Sequence, residues 1–137
     1  MKNILARPLT LLGLLVLTFS AEAEPVLLGH KALPSHTLDA ESVKAVLLGK
    51  KVTLGDTRVV IIIAKNSANQ ERFLQQAVGM TTAQFQNHWR RLFMTGGGSA
   101  PKIVEDESEA RRLLAETPGA IAMIDGSTGD SLVPLGL

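Results

Sequence analysis

The chain has 137 residues, a formal net charge of +1, 45% hydrophobic residues and no cysteine. That is enough for one domain held together by its core alone, with no disulfide and no thiolate metal site. There is no basic excess to attract nucleic acid or an anionic membrane.

The N-terminus reads as an export leader. Lys2 and Arg7 form a basic segment, Leu9 to Phe19 an apolar core, and Ala21-Glu22-Ala23 an A-x-A cleavage site. The alternative is an uncleaved anchor, although the apolar run is short for a bilayer span of about 20 residues. No cysteine follows it to take a lipid. The expectation is therefore a signal peptide over 1–23, a folded domain over 24–137 and a periplasmic location. After residue 23, acidic and basic residues balance.

Pro25-Val26-Leu27-Leu28-Gly29 predicts a first strand, and Ala32 to His36 a connector. Thr37 can cap a helix with Asp39 and Glu41 in its first turn; Val43, Val46 and Leu47 form its buried stripe and Gly49 stops it. Val52-Thr53-Leu54 suits a small strand or arm, and Gly55-Asp56 a turn. The centre of the chain is Val59-Val60-Ile61-Ile62-Ile63-Ala64. A β-branched run without alternation suits a strand covered on both faces, with buried helix as the alternative. Lys65 to Gln70 breaks the pattern. Phe73, Leu74, Ala77 and Val78 then recur at helical spacing up to Gly79.

Thr81 and Gln84 form a T-x-x-Q capping box. Phe85, Trp89, Leu92 and Phe93 follow as one amphipathic stripe, which predicts the largest single contribution to the core. Gly96 to Pro101 reads as a loop. Asp106 and Glu109 open another helix, with Ala110, Leu113 and Leu114 facing inward. Ala120 to Ile124 predicts a second buried strand, Asp125-Gly126-Ser127 a turn, and Leu132-Val133-Pro134 a short extended piece. Alternation of strands and helices implies an α/β layer fold.

A strand that feeds a helix through a polar turn places the helix N-terminus at the carboxyl edge of the sheet, where open α/β folds bind ligands and free N–H groups can hold an anion. Lys65, Ser67, Asn69 and Gln70 are the candidate binding residues; the competing reading is a solvated turn closed by its own Asx- or ST-type hydrogen bond. Gly96-Gly97-Gly98-Ser99 lacks the G-K-[ST] ending of a phosphate loop and reads as a connector. His30, His36 and His88 have no metal-ligand spacing. There is no G-x-S-x-G elbow, and no constellation supports an enzyme or a bound cofactor. Arg90-Arg91 and Arg111-Arg112 read as the wet sides of helices.

Five segments taken in order carry a resemblance: Val46-Leu47-Leu48-Gly49-Lys50, Phe73-Leu74-Gln75-Gln76-Ala77-Val78-Gly79-Met80, Gln86-Asn87-His88-Trp89, Leu92-Phe93-Met94-Thr95-Gly96 and Thr117-Pro118-Gly119-Ala120-Ile121. Over Leu38 to Asp125 the chain resembles the phosphate-binding proteins of ABC transporters, which are type II periplasmic solute-binding proteins. The resemblance implies an α/β fold: a single lobe of a type II periplasmic-binding-protein fold, with a mixed sheet flanked by helices. The ligand implied is phosphate or a related oxyanion. The partners implied are ABC transporter membrane subunits or another envelope protein, with a homodimer as one way to supply a second lobe. It also implies an Arg and then Ser-Gly-Thr in the turn after the central strand. Here Lys65 stands at the Arg position, and Asn69, Gln70 and Glu71 at the other three. Lys65 keeps the charge without the bidentate fork. Gln70 adds a side chain where close backbone approach calls for glycine. Glu71 is expected to set its own carboxylate where the anion would lie. Like charges at ~4 Å repel by about 1 kcal/mol in water and ~4 kcal/mol at an effective dielectric of 20. The residues therefore predict weak binding, or an orphan lobe that serves as a protein-interaction module.

Overall fold

A computed structural model describes residues 25–34, 38–96, 100–125 and 132–136. The leader expected over 1–23, the Thr37 cap, the Gly97–Ser99 stretch and the Gly126-Ser127 end of the last turn lie outside the described residues.

The elements run β1 (Pro25–His30), α1 (Ala40–Leu47), β2 (Thr53–Leu54), β3 (Thr57–Arg58), β4 (Val60–Asn66), α2 (Ala68–Ala77), α3 (Thr82–Met94), β5 (Lys102–Asp106), α4 (Glu107–Glu116), β6 (Ala120–Asp125) and β7 (Leu132–Gly136). Five strands form one sheet in the order β5-β4-β6-β1-β7, and β2 and β3 form a separate hairpin. β4 runs parallel to both β5 and β6. β1 is antiparallel to β6 and to β7. The sheet is thus mixed, with β1 reversed.

The uninterrupted apolar run in β4 follows from two-sided cover. Ile61 and Ile63 face a core shared with Leu27, Val46, Leu47, Phe73, Leu74, Phe85 and Trp89. Ile62 and Ala64 face the other, with Leu28, Val104, Ala110, Leu114, Ala122 and Ile124. α1, α2 and α3 cover the first face and α4 the second. Chain direction explains this division. The crossover from β4 to β5 moves one way across the sheet and that from β5 to β6 moves back, and right-handed crossovers in opposite directions put their helices on opposite faces.

Caps set the helix starts. α1 begins two residues later than the Thr37 reading: Asp39 is the N-cap and accepts from the Ser42 N–H at 2.8 Å. Those bonds, from the Ser42 backbone first, hold the Asp39 carboxyl below the usual aspartate range. Thr81 and Gln84 make both halves of the capping box of α3. Asp106 caps α4 by accepting from the Glu109 N–H at 3.0 Å.

Three sequence expectations are corrected. Phe93 is 53% exposed, so the α3 stripe buries only Phe85 and Trp89 fully and Leu92 in part. The largest share of the core comes from the sheet itself, through Leu27, Leu28, Ile62, Ile63, Ile121, Met123 and Ile124. β5 has no counterpart in the sequence reading, because Val104 is the one residue of that edge strand that is buried. Trp89 and His88 also do more than fill space. The Trp89 Nε1–H donates to the Leu47 carbonyl, and His88 Nε2 lies 2.9 Å from the Leu48 carbonyl. Together they engage carbonyls at the C-terminal end of α1, which the helix itself leaves unpaired.

Candidate functional site

β4 extends two residues past its apolar run, through Lys65 and Asn66, and α2 starts immediately after Ser67. The polar loop expected over Lys65–Gln70 is therefore a single residue between a strand and a helix. This tight turn brings the N-terminus of α2 to the carboxyl end of β4. β4 and β6 are neighbours, yet the chain leaves β4 toward β5. The crevice between the carboxyl ends of β4 and β6 is thus the topological switch point, the place where open α/β sheets take ligands.

The crevice holds a carboxylate from the chain itself. Glu107, the first residue of α4, sends its side chain across to both strand ends. Its Oε1 accepts from Ser67 Oγ at 3.3 Å and from Asn69 Nδ2 at 3.0 Å. Its Oε2 accepts from the Asp125 N–H at 2.9 Å. A hydroxyl, a carboxamide and a backbone N–H from two elements therefore converge on one oxyanion. Ser67 at the same time caps α2, its Oγ accepting from the Gln70 N–H at 3.1 Å. Asn69 is held from its other end by Arg72, whose Nη2 donates to Oδ1 at 2.9 Å.

The structure brings Ser67 and Asn69 together and leaves the other two candidates elsewhere. Lys65 lies on the rim, paired with Glu105 at 3.2 Å, both side chains more than half exposed. Such a pair contributes little and leaves the ammonium close to water. Gln70 is 1% exposed and points into the core. Its Oε1 accepts from the Ala64 N–H at 2.8 Å, and its Nε2 donates to the Ala64 carbonyl at 2.7 Å and to Thr82 Oγ1 at 3.1 Å. The carboxamide thus serves β4 as a neighbouring strand would, and no polar atom of it faces the crevice. Glu71 is not the internal anion that the alignment of the turn suggested. Its carboxylate accepts from the Thr82 N–H at 3.2 Å, at the start of α3. Sequence reasoning missed Glu107, which lies 40 residues from Ser67. The D-x-x-E start of α4 was visible, but it marks a helix and not the direction of the residue between its two ends.

Acids dominate the surroundings. Glu105, Asp106, Glu107 and Asp125 stand at the carboxyl ends of β5 and β6 or at the start of α4, against Lys65, Arg72 and Arg111. Arg111 Nη2 meets Asp125 Oδ1 at 3.0 Å, with both side chains less than a third exposed. Among the described residues no group of three or more His, Asp or Glu could hold a metal ion, and no helix is long and apolar enough to cross a membrane. Two surface recesses lie apart from the crevice in their lining. One of about 380 Å³ is lined by Val78, Gly79, Met80, Gln84, Asn87 and Arg91. Another of about 230 Å³ includes Trp89, Arg90, Phe93, Pro101 and Ile103.

No protein-family model matches the sequence, and no curated protein matches it. Solved structures do match the fold. A protein from Clostridium perfringens, assigned as a phosphate ABC transporter substrate-binding protein and solved with bound phosphate, superposes with a TM-score of 0.61 at 18% identity. The match covers 82% of this chain and 44% of that one. An ABC-type phosphate transport receptor from Vibrio cholerae gives a TM-score of 0.52 at 12% identity, covering 82% of this chain and 45% of the receptor. At this identity the likeness is one of fold: this chain has the mixed sheet and flanking helices of a single lobe of the type II periplasmic-binding-protein fold. It spans less than half the length of either structure.

Proposed function

We propose that the chain is exported and that its lobe, of the phosphate-receptor type, binds phosphate or a related oxyanion weakly in the crevice between β4 and β6. In this reading residues 1–23 are a leader removed on export to the periplasm, and residues 24–137 form the binding lobe. The observation that carries it is the convergence of Ser67 Oγ, Asn69 Nδ2 and the Asp125 N–H on one carboxylate. These donors are already aimed at an oxyanion, beside a helix N-terminus whose dipole favours negative charge. The shared fold with two phosphate receptors supports the choice of ligand. Lys65 on the rim supplies the attracting charge, and the surrounding acids keep the affinity low. One lobe leaves the ligand open to water on one side, so a second lobe would enclose it. Handover to ABC transporter membrane subunits fits such a role.

Titration of the purified protein with phosphate, in low salt near neutral pH and with sulfate as control, tests the reading. The expected result is saturable binding in the high-micromolar to millimolar range, about −4 to −6 kcal/mol. Absence of saturation at tens of millimolar would overturn it.

A second reading has its own observation. Phe93 and Ile103 are exposed large apolar residues that line one recess at the edge strand β5. An orphan lobe that docks on an envelope protein would use this face. A phosphate-silent protein whose envelope crosslinks vanish on Phe93→Ser and Ile103→Ser would favour that role.

A further inference from the structure

We infer that Glu107 is an intramolecular competitor for the oxyanion site: an incoming anion binds by displacing its carboxylate from Ser67, Asn69 and the Asp125 N–H. The inference rests on the oxyanion reading above and names what regulates that same site.

Glu107 is the first residue of α4, and an acid there ordinarily serves its own helix N-terminus. Other side chains already fill that role. Asp106 caps α4, accepting from the Glu109 N–H at 3.0 Å, and Glu109 is a second acid in the same first turn. Glu107 instead crosses the crevice and uses both oxygens on donors that lie 18, 38 and 40 residues away. Those three donors have the chemistry an external oxyanion would ask for, and a carboxylate offers the same oxygen-to-donor distances. Both anions cannot hold them at once, because the Glu107 carboxylate already occupies the space between the Asn69 and Asp125 N–H groups, one oxygen on each, and the two negative charges repel. Glu107 is half-buried at the mouth of the crevice, so its departure needs only side-chain rotation toward water. The competition is therefore local and reversible. It sets a threshold of ligand concentration below which the crevice stays self-occupied.

The test compares the whole protein with Glu107→Ala and Glu107→Gln, titrated with phosphate and followed through the Asp125 backbone amide and the Asn69 side-chain amide by ¹⁵N NMR. Both variants are expected to bind roughly tenfold more tightly than wild type, a change of about 1.4 kcal/mol. Glu116→Gln removes the same charge at the far end of α4 and is expected to change affinity less than twofold. In wild type, saturating phosphate is expected to shift the Asp125 amide as Glu107 leaves it, and this readout needs no variant to fold. Equal affinity in wild type and both Glu107 variants would overturn the competition while leaving oxyanion binding intact. Phosphate binding to wild type with the Asp125 amide unmoved would do the same. No binding by wild type or by folded variants would overturn the oxyanion reading and this inference with it.

Discussion

Gln70 separates a ligand residue from a structural one, and its replacement by leucine decides between them. The side chain is 1% exposed and binds both backbone groups of Ala64, itself 2% exposed. Leucine keeps most of the volume and removes the carboxamide, so the Ala64 N–H and carbonyl are left buried without partners. Each orphaned group costs about 1–3 kcal/mol. Extra apolar burial by leucine returns about 1 kcal/mol, so the net loss is roughly 1–5 kcal/mol against a total stability of about 5–15 kcal/mol. Urea unfolding followed by Trp89 fluorescence measures it, since Trp89 is the single tryptophan and is buried. At a slope of about 2 kcal/mol per molar urea, the midpoint should fall by roughly 0.5–2.5 M. Gln70→Glu keeps the acceptor but can donate to the Ala64 carbonyl only when protonated. The folded-state pKa of that acid would be raised, so its deficit should shrink as pH falls. A Gln70→Leu midpoint within about 0.3 M of wild type, with the Ala64 amide still protected from exchange, would refute the reasoning.

Trp89→Phe should cost about 2–4 kcal/mol, from the lost bond to the Leu47 carbonyl and the space left behind; thermal unfolding by circular dichroism checks it, and a loss below about 1 kcal/mol would remove the indole N–H from the account. Asp39→Ala should lower stability at neutral pH. Because the folded-state pKa of Asp39 is depressed, its contribution is present above the ordinary aspartate value of about 3.9 and is lost as pH falls through the lower folded value; the two unfolding curves should converge in strong acid. Gly119→Ala should be far more damaging than Gly79→Ala. Both glycines have positive φ, +85° and +69°, which costs an alanine about 1–2 kcal/mol, but a Cβ at 119 would also run into the Arg58 carbonyl while one at 79 meets nothing within 4 Å. Equal urea midpoints for the two variants would contradict that geometry.

The sequence by itself determined the elements that local chemistry encodes. The β-branched run at Val59–Ala64 specified a strand covered on both faces, observed over Val60–Asn66, the Thr81/Gln84 box a helix start, and Ala120–Ile124 a second buried strand. It also pointed to the turn after β4 as the place to look, and Ser67 and Asn69 do meet there. β5 stayed hidden because an edge strand buries one side chain, so its pattern carries almost no hydrophobic signal. Phe93 was assigned inward because helical periodicity names a face, not how far the neighbouring layer extends beneath it. Only the tertiary structure decided which side chain occupies the crevice. Gln70, Glu71 and Glu107 are all polar residues in the first turn of a helix, and nothing local tells them apart. Gln70 turns to β4, Glu71 reaches the start of α3, and Glu107 crosses to the ends of β4 and β6. Propensity and periodicity act over a few residues. The donors that choose among these side chains lie as far as 40 residues away, and they come into reach only once the sheet has set its strand order.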